Sequence, residues 1–256
     1  MHQIIDDQGI RRNCGCLPRL TAPGDFLPVL GEPETAPLIP RAQWHDVDNS
    51  AHTYFTLDQR NQNSCTTVAA AGAIQHAREV MQGLRIPLAW SATYGAINGG
   101  RDAGASLDAC ITHLMRIGIP PAEIEGAKYI DPFDWQGYHR GTYPQDWKLR
   151  AAEITAIEAW DCPSVDHVVA ALHAATTPVV GIFWTPRTGH AIRLVGWDNV
   201  RRRARLHNSW GRSWGSNGFG WVDQATLARG IQVFGAFAVR VVSRHPADPQ
   251  PPAPNA

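Results

Sequence analysis

Four polar side chains, Gln59, Cys65, His190 and Asn208, occur in an order that could support nucleophilic chemistry at a thiol. Cys65 stands in Asn63-Ser64-Cys65-Thr66-Thr67, just ahead of an alanine-rich run of helical period. His190 follows Gly189 and opens the run Ala191-Ile192-Arg193-Leu194-Val195-Gly196, and Asn208 stands in His207-Asn208-Ser209-Trp210-Gly211. A thiolate can attack a carbonyl carbon, an imidazole can carry the proton to the leaving group, and a side-chain amide can hold the imidazole in place. A second amide, on Gln59, could aim an N–H at the developing oxyanion beside the backbone N–H of Cys65. A cysteine at a helix N-terminus would feel the unpaired N–H groups and the positive dipole end, both of which favour its thiolate. A nearby imidazolium would hold the ion pair as the resting state. Each residue also has a plainer reading. A lone cysteine is most often a small buried apolar group. His190 could be a hydrogen-bonded structural residue, Asn208 a turn residue and Gln59 a surface polar group. The polar flanks Gln62, Asn63, Ser64, Thr66 and Thr67 argue for an accessible thiol.

The elements that must position these groups follow from periodicity. Val68, Ala69, Ala70, Ala73, Ile74 and Ala77 make an apolar helical stripe that Cys65 opens. Trp90–Ile97 reads as a short second helix. Leu107, Cys110, Ile111, Leu114, Met115 and Ile117 read as a third, ended by Gly118 and Pro120-Pro121. After about residue 150 the pattern becomes strand-like. Candidate strands are 154–160, 179–184, 191–197, 204–208, 219–222 and 234–242, with one helix over 166–175. A helical half followed by a strand-rich half predicts an α+β protein of two lobes, with residues drawn from both meeting in the cleft between them. Residues 119–150, rich in aromatic side chains, read as a long surface connection.

Composition sets limits on this reading. The 256 residues carry no formal net charge, so no global field draws the chain to nucleic acid or anionic membranes. The basic run Arg201–Arg205 lies between two apolar segments and reads as a solvated hairpin turn. No apolar stretch approaches a membrane span, and acids stand where a signal peptide needs a basic start. Cytoplasmic or virus-associated placement is expected. Five cysteines, Cys14, Cys16, Cys65, Cys110 and Cys162, leave at least one thiol free. Cys14 and Cys16 could chelate a metal, but no second Cys/His pair at a zinc spacing accompanies them, and a structural or redox role stays open. Residues 1–38 read as an extended leader, 39–244 as one domain (helical lobe about 55–120, strand-rich lobe about 150–242) and 245–256 as a disordered proline-rich tail.

These segments resemble the papain-like cysteine peptidases. The likeness rests on Gln59 six positions before Cys65, on His190-Ala191 at a strand start, and on Asn208-Ser209-Trp210-Gly211 followed by Trp214-Gly215-Ser216-Asn217-Gly218. Ile39-Pro40 with Trp44 is similar to the start of a mature domain, so the likeness covers about residues 39–242. It implies a helical N-terminal lobe, a β-barrel-like C-terminal lobe and an active site between them. It also implies a peptidase acting on polypeptides without cofactor, with Cys65 as nucleophile, His190 as acid and base, Asn208 as orienter and Gln59 in the oxyanion hole. Gly104 and Ala105 would then form a cleft wall that pairs with substrate backbone, Ala191 would border the pocket beside the scissile bond, and Trp210 would shield the Asn208–His190 hydrogen bond. The chain departs from the family pattern where the flanking disulfide cysteine and the Trp after the nucleophile are missing, as in microbial or viral members. The leader is too short for the family's large pro-segment, though it could lie over the cleft. A monomer is expected. Transpeptidase or amidase chemistry with the same triad, or a non-catalytic binding role, are the alternatives.

Overall fold

The computed structural model describes residues 2–6, 8–20, 35–53 and 57–242. Its organising element is the helix Cys65–Gln82, buried along nearly its whole first three turns. The run Ala69-Ala70-Ala71-Gly72-Ala73 explains that burial, because small side chains let neighbours approach from several sides and alanine favours the helix. Gly83, at φ 68°, ends it in the left-handed conformation that glycine adopts freely. Trp90–Ile97 and Leu107–Arg116 pack beside it, and the second of these is capped by Ser106, whose hydroxyl accepts from the Ala109 N–H.

The strand-rich half is a seven-stranded sheet. From one edge its order is Phe219–Asp223, Arg203–His207, Thr188–Asp198, Val179–Thr185, Ala236–Val242 and Ala156–Asp161, all antiparallel, with Val47–Asp48 pairing the far end of Thr188–Asp198. Most predicted elements lie within a few residues of where periodicity put them. One boundary differs: Phe234 closes a helix, Gln224–Phe234, rather than opening the last strand. The signal was present in Asp223, whose carboxylate accepts from Thr226 N–H, and in the inward spacing of Leu227, Ile231 and Phe234. The basic run behaves as a turn and strand start, with Arg201 and Arg203 on Asp198 and Arg205 on Asp48.

Residues 119–150 are more ordered than a surface connection. They hold a hairpin, Glu123–Ile124 with Ala127–Lys128, the short helix Gln136–Arg140 and the start of Trp147–Ala152. A small core of Ala89, Ala122 and Ile130 lies beneath, and Tyr138, Tyr143 and Trp147 meet edge to face.

The leader is also structured. His2–Ile5 and Arg11–Cys14 form an antiparallel hairpin closed over a buried Asp6–Arg12 ion pair at 2.9 Å. The chain then runs on through Gly15, and Cys16-Leu17 pairs in parallel with Ala105-Ser106 of the helical lobe. The stretch 245–256, read as a disordered tail, lies outside the described residues.

Candidate active site

Cys65 begins the central helix, and its sulfur accepts the backbone N–H of Ala191 at 3.4 Å. The helix start of one lobe thus meets the start of the strand Thr188–Asp198 in the other. His190, on that strand, bonds through Nε2 to Asn208 Oδ1 at 2.7 Å. Asn208 Oδ1 also accepts the N–H of Ser209 at 2.8 Å, which fixes the amide before the histidine meets it. The other ring nitrogen, His190 Nδ1, has no hydrogen-bond partner among the described residues. The fully buried indole of Trp210 lies 4.5 Å from the imidazole, tilted by 35°, and Trp184 stands edge-on to both rings.

Gln59 is tied to the same strand end. Its backbone N–H donates to Ser209 O at 2.8 Å, and its side-chain Oε1 accepts the Ser209 hydroxyl. With Oε1 so occupied, the amide NH2 is the end that faces the cleft, where it donates to Gln62 O at 2.6 Å and to Asn13 O at 3.0 Å.

Asn13 belongs to the leader, and the leader fills the cleft, a position that the sequence left open for it. Gly15 passes close to Cys65, its backbone N–H among those that pull on the thiol and its carbonyl accepting Ala105 N–H at 2.9 Å. The approach leaves no room for a side chain. A Cβ on Gly15 would lie 2.1 Å from Asn63 O, and one on Gly104 would lie 2.2 Å from Gly15 O. Gly104 and Ala105 therefore form a wall that meets backbone, here the backbone of the leader. Ala191 is opposed across the sheet by Gly181, and this rung of small residues leaves space that Cys16 enters. The Cys14-Gly15-Cys16 spelling was the available signal, since a glycine between two small side chains suits a strand that must lie close to another backbone.

Two expectations are corrected. The polar flanks do not expose Cys65, which is fully buried together with Asn63, Ser64, Thr66 and Thr67. Those flanks serve local bonding instead: Asn63 gives its N–H and side-chain amide to Asp102, and the Thr67 hydroxyl donates to Ser64 O. Asp102 also accepts the Tyr94 hydroxyl at 2.6 Å, so one carboxylate fastens the Gly104–Ala105 wall to the loop before Cys65. Nor does burial favour a resting ion pair. Desolvation pushes the Cys65 thiol up to about 11 against the pull of the Ala191, Gly15 and Thr66 N–H groups. Desolvation likewise holds His190 down to about 4, partly opposed by its bond to Asn208. With the leader in place burial therefore favours the neutral thiol and the neutral imidazole over their ion pair.

No group of three or more His, Cys, Asp or Glu suited to a metal ion occurs among the described residues. None of their helices is long and apolar enough to cross a membrane.

Residues 165–235 match the family model described as papain family cysteine protease, a span that includes His190 and Asn208 but not Gln59 or Cys65. A cysteine protease from Blomia tropicalis is 40% identical over 53 residues, 20% of this chain and 16% of that protein. The chain thus matches less than a fifth of that relative's length. Two solved structures are similar over most of the chain. Xylellain, a cysteine protease from Xylella fastidiosa, superposes with a TM-score of 0.68 at 20% identity, covering 92% of this chain and 98% of xylellain. Digestive procathepsin L 3 of Tenebrio molitor gives 0.66 at 19% identity, covering 88% of this chain and 75% of the other. The fold is the papain-like α+β fold of two lobes.

Proposed function

We propose that this chain, whose fold is papain-like, is a cysteine-type peptidase with Cys65 as its nucleophile. The observation that carries the proposal is that a peptide already lies in the cleft, with the Asn13 carbonyl on the Gln59 amide and the Gly15 carbonyl on the Ala105 N–H. Polypeptide substrate and leader would compete for this groove. Once the leader lifts, water reaches the thiol and imidazole, the desolvation that favours their neutral forms falls, and the proton can pass from Cys65 to His190. The thiolate then attacks the scissile carbonyl carbon. Negative charge moves to the carbonyl oxygen, which takes the place of Asn13 O against Gln59 and also receives the Cys65 N–H. His190 gives its proton to the leaving amine as the C–N bond breaks, leaving a thioester on Cys65. A water that loses its proton to His190 opens that ester and returns the free thiol. Asn208 keeps the imidazole turned so that Nδ1 serves the sulfur, and Trp210 keeps water from the Asn208 bond.

The test is hydrolysis of an unstructured polypeptide by the full chain and by Cys65→Ala. Wild-type protein should release new amino termini, and the variant should release none above background. Equal turnover by the variant would remove Cys65 from the reaction. Recovery of aminolysis products in place of hydrolysis, when an amine acceptor is present, would reassign the chain to acyl transfer.

A further inference from the structure

The leader's Cys-Gly-Cys does more than fit the groove. Gly15 passes close to Cys65, so the thiols of its two neighbours are brought to the same place. They divide by packing. Cys14 joins the apolar cluster of Val180, Ile182, Ile192 and Trp210, on the strand-rich lobe. Cys16 packs in the cluster that contains Cys65, Ala191 and Phe234. Its sulfur lies 3.0 Å from where a Gly181 Cβ would stand, and Gly181 is the cross-strand partner of Ala191, whose N–H meets the Cys65 sulfur. Two free thiols therefore sit over one rung of the sheet, one from the leader and one from the central helix. Both thiols belong to one buried apolar cluster, so a docked leader holds Cys16 in the same packed layer as the Cys65 sulfur.

We propose that Cys16 and Cys65 are a redox modification site, at which a hydroperoxide converts the docked leader into a covalent latch on the nucleophile. Cys65 must first be uncovered, since it has no exposure with the leader in place. Local opening of a surface segment supplies that exposure. The Cys65 thiolate then attacks the peroxide, the O–O bond breaks, and sulfur is oxidised to sulfenic acid while an alcohol or water leaves. When the leader re-docks, the Cys16 thiol attacks the sulfenic sulfur, the S–O bond breaks and water leaves, so that two thiols and one hydroperoxide give one disulfide. A dithiol reverses the link by exchange. Cys65 is thereby protected from over-oxidation to sulfinic acid. The identity of Cys65 as the reacting thiol rests on the peptidase reading, so the readout is covalent mass rather than turnover.

Full-length wild-type protein, Cys14→Ser and Cys16→Ser are treated with a small excess of hydrogen peroxide, blocked with N-ethylmaleimide and mapped without reduction. A peptide joining Cys16 to Cys65 is expected in wild type and Cys14→Ser. In Cys16→Ser it should be absent, with sulfinic acid on Cys65 instead. After dithiothreitol, free Cys65 should be recovered at least about tenfold better from wild type than from Cys16→Ser, because sulfinic acid is not reduced by thiols. A link through Cys14 or Cys110, or equal sulfinic acid in wild type and Cys16→Ser, overturns the latch. A protein that forms and releases the link yet hydrolyses no peptide in either state keeps the latch and sinks the peptidase reading.

Discussion

At the scale of single residues, the site is set by where amide oxygens are already spent. Asn208 Oδ1 is held by Ser209 N–H before it receives His190, and Gln59 Oε1 is held by the Ser209 hydroxyl. One residue thus aims both amides. Asn208→Ala should lower kcat/KM by about tenfold or more with little change in the unfolding midpoint, because the imidazole loses its orientation while the fold keeps its packing. An unchanged rate would take Asn208 out of the mechanism. Ser209→Ala should lower kcat, by less than Gln59→Ala does, since the freed amide can rotate its oxygen toward the cleft. Parallel kinetics on the two variants decide this, and equal losses would mean that Ser209 acts elsewhere.

At the scale of elements, two close approaches depend on glycine. Gly15 lets the leader lie on the helix start, and the Cβ of Gly15→Ala would collide with Asn63 O. This variant should shed the leader, and iodoacetamide should label Cys65 at least about tenfold faster at pH 7, as expected for a thiol moved from a closed to an open state. Labelling at the wild-type rate would show that the leader does not control access. Gly118 follows the helix Leu107–Arg116 at φ +90°, and a Cβ there would lie 1.9 Å from Ala151 O. Gly118→Ala should therefore cost about 2–4 kcal/mol, from strained backbone and a forced shift of packed chain. Urea denaturation measures it, and a loss below half a kcal/mol would contradict the packing described.

At the scale of the molecule, the lobes are joined by buried polar groups as well as by apolar packing. Arg193, on the strand that carries His190, reaches Gly72 O of the central helix at 2.6 Å and His207 Nδ1 at 2.9 Å. Histidine burial has a consequence for pH. Desolvation holds His76 and His190 down to about 4 and His207 down to about 2. Below about pH 6.5 the unfolded chain takes up protons at these rings and the folded chain does not, so stability falls as pH drops from 6.5 toward 4. Each ring contributes at most about 1.4 kcal/mol per pH unit in that window. The urea midpoint should accordingly be lower at pH 5 than at pH 7, and in His76→Asn the difference should shrink. A midpoint that does not move with pH would mean that these rings are not buried neutral.

Much of this protein could be read before folding it. Local patterns determine the helix opened by Cys65 and the strands that carry His190 and Asn208, because helix and strand periods are properties of neighbouring residues. The spacing of Gln59, Cys65, His190 and Asn208 pointed to a thiol site for the same reason. Local pattern also holds the helix that Phe234 closes: Phe234 alone suits either a helix end or a strand start, while the Asp223 cap and the spacing of Leu227, Ile231 and Phe234 mark the helix. Tertiary structure alone decided the state of the site. Whether Cys65 is accessible, whether its partner carries a proton, and which backbone meets Gln59 all depend on a segment some fifty residues earlier in the chain (Asn13–Cys16) lying between the lobes. Burial is a property of everything around a group, and no window of sequence contains it.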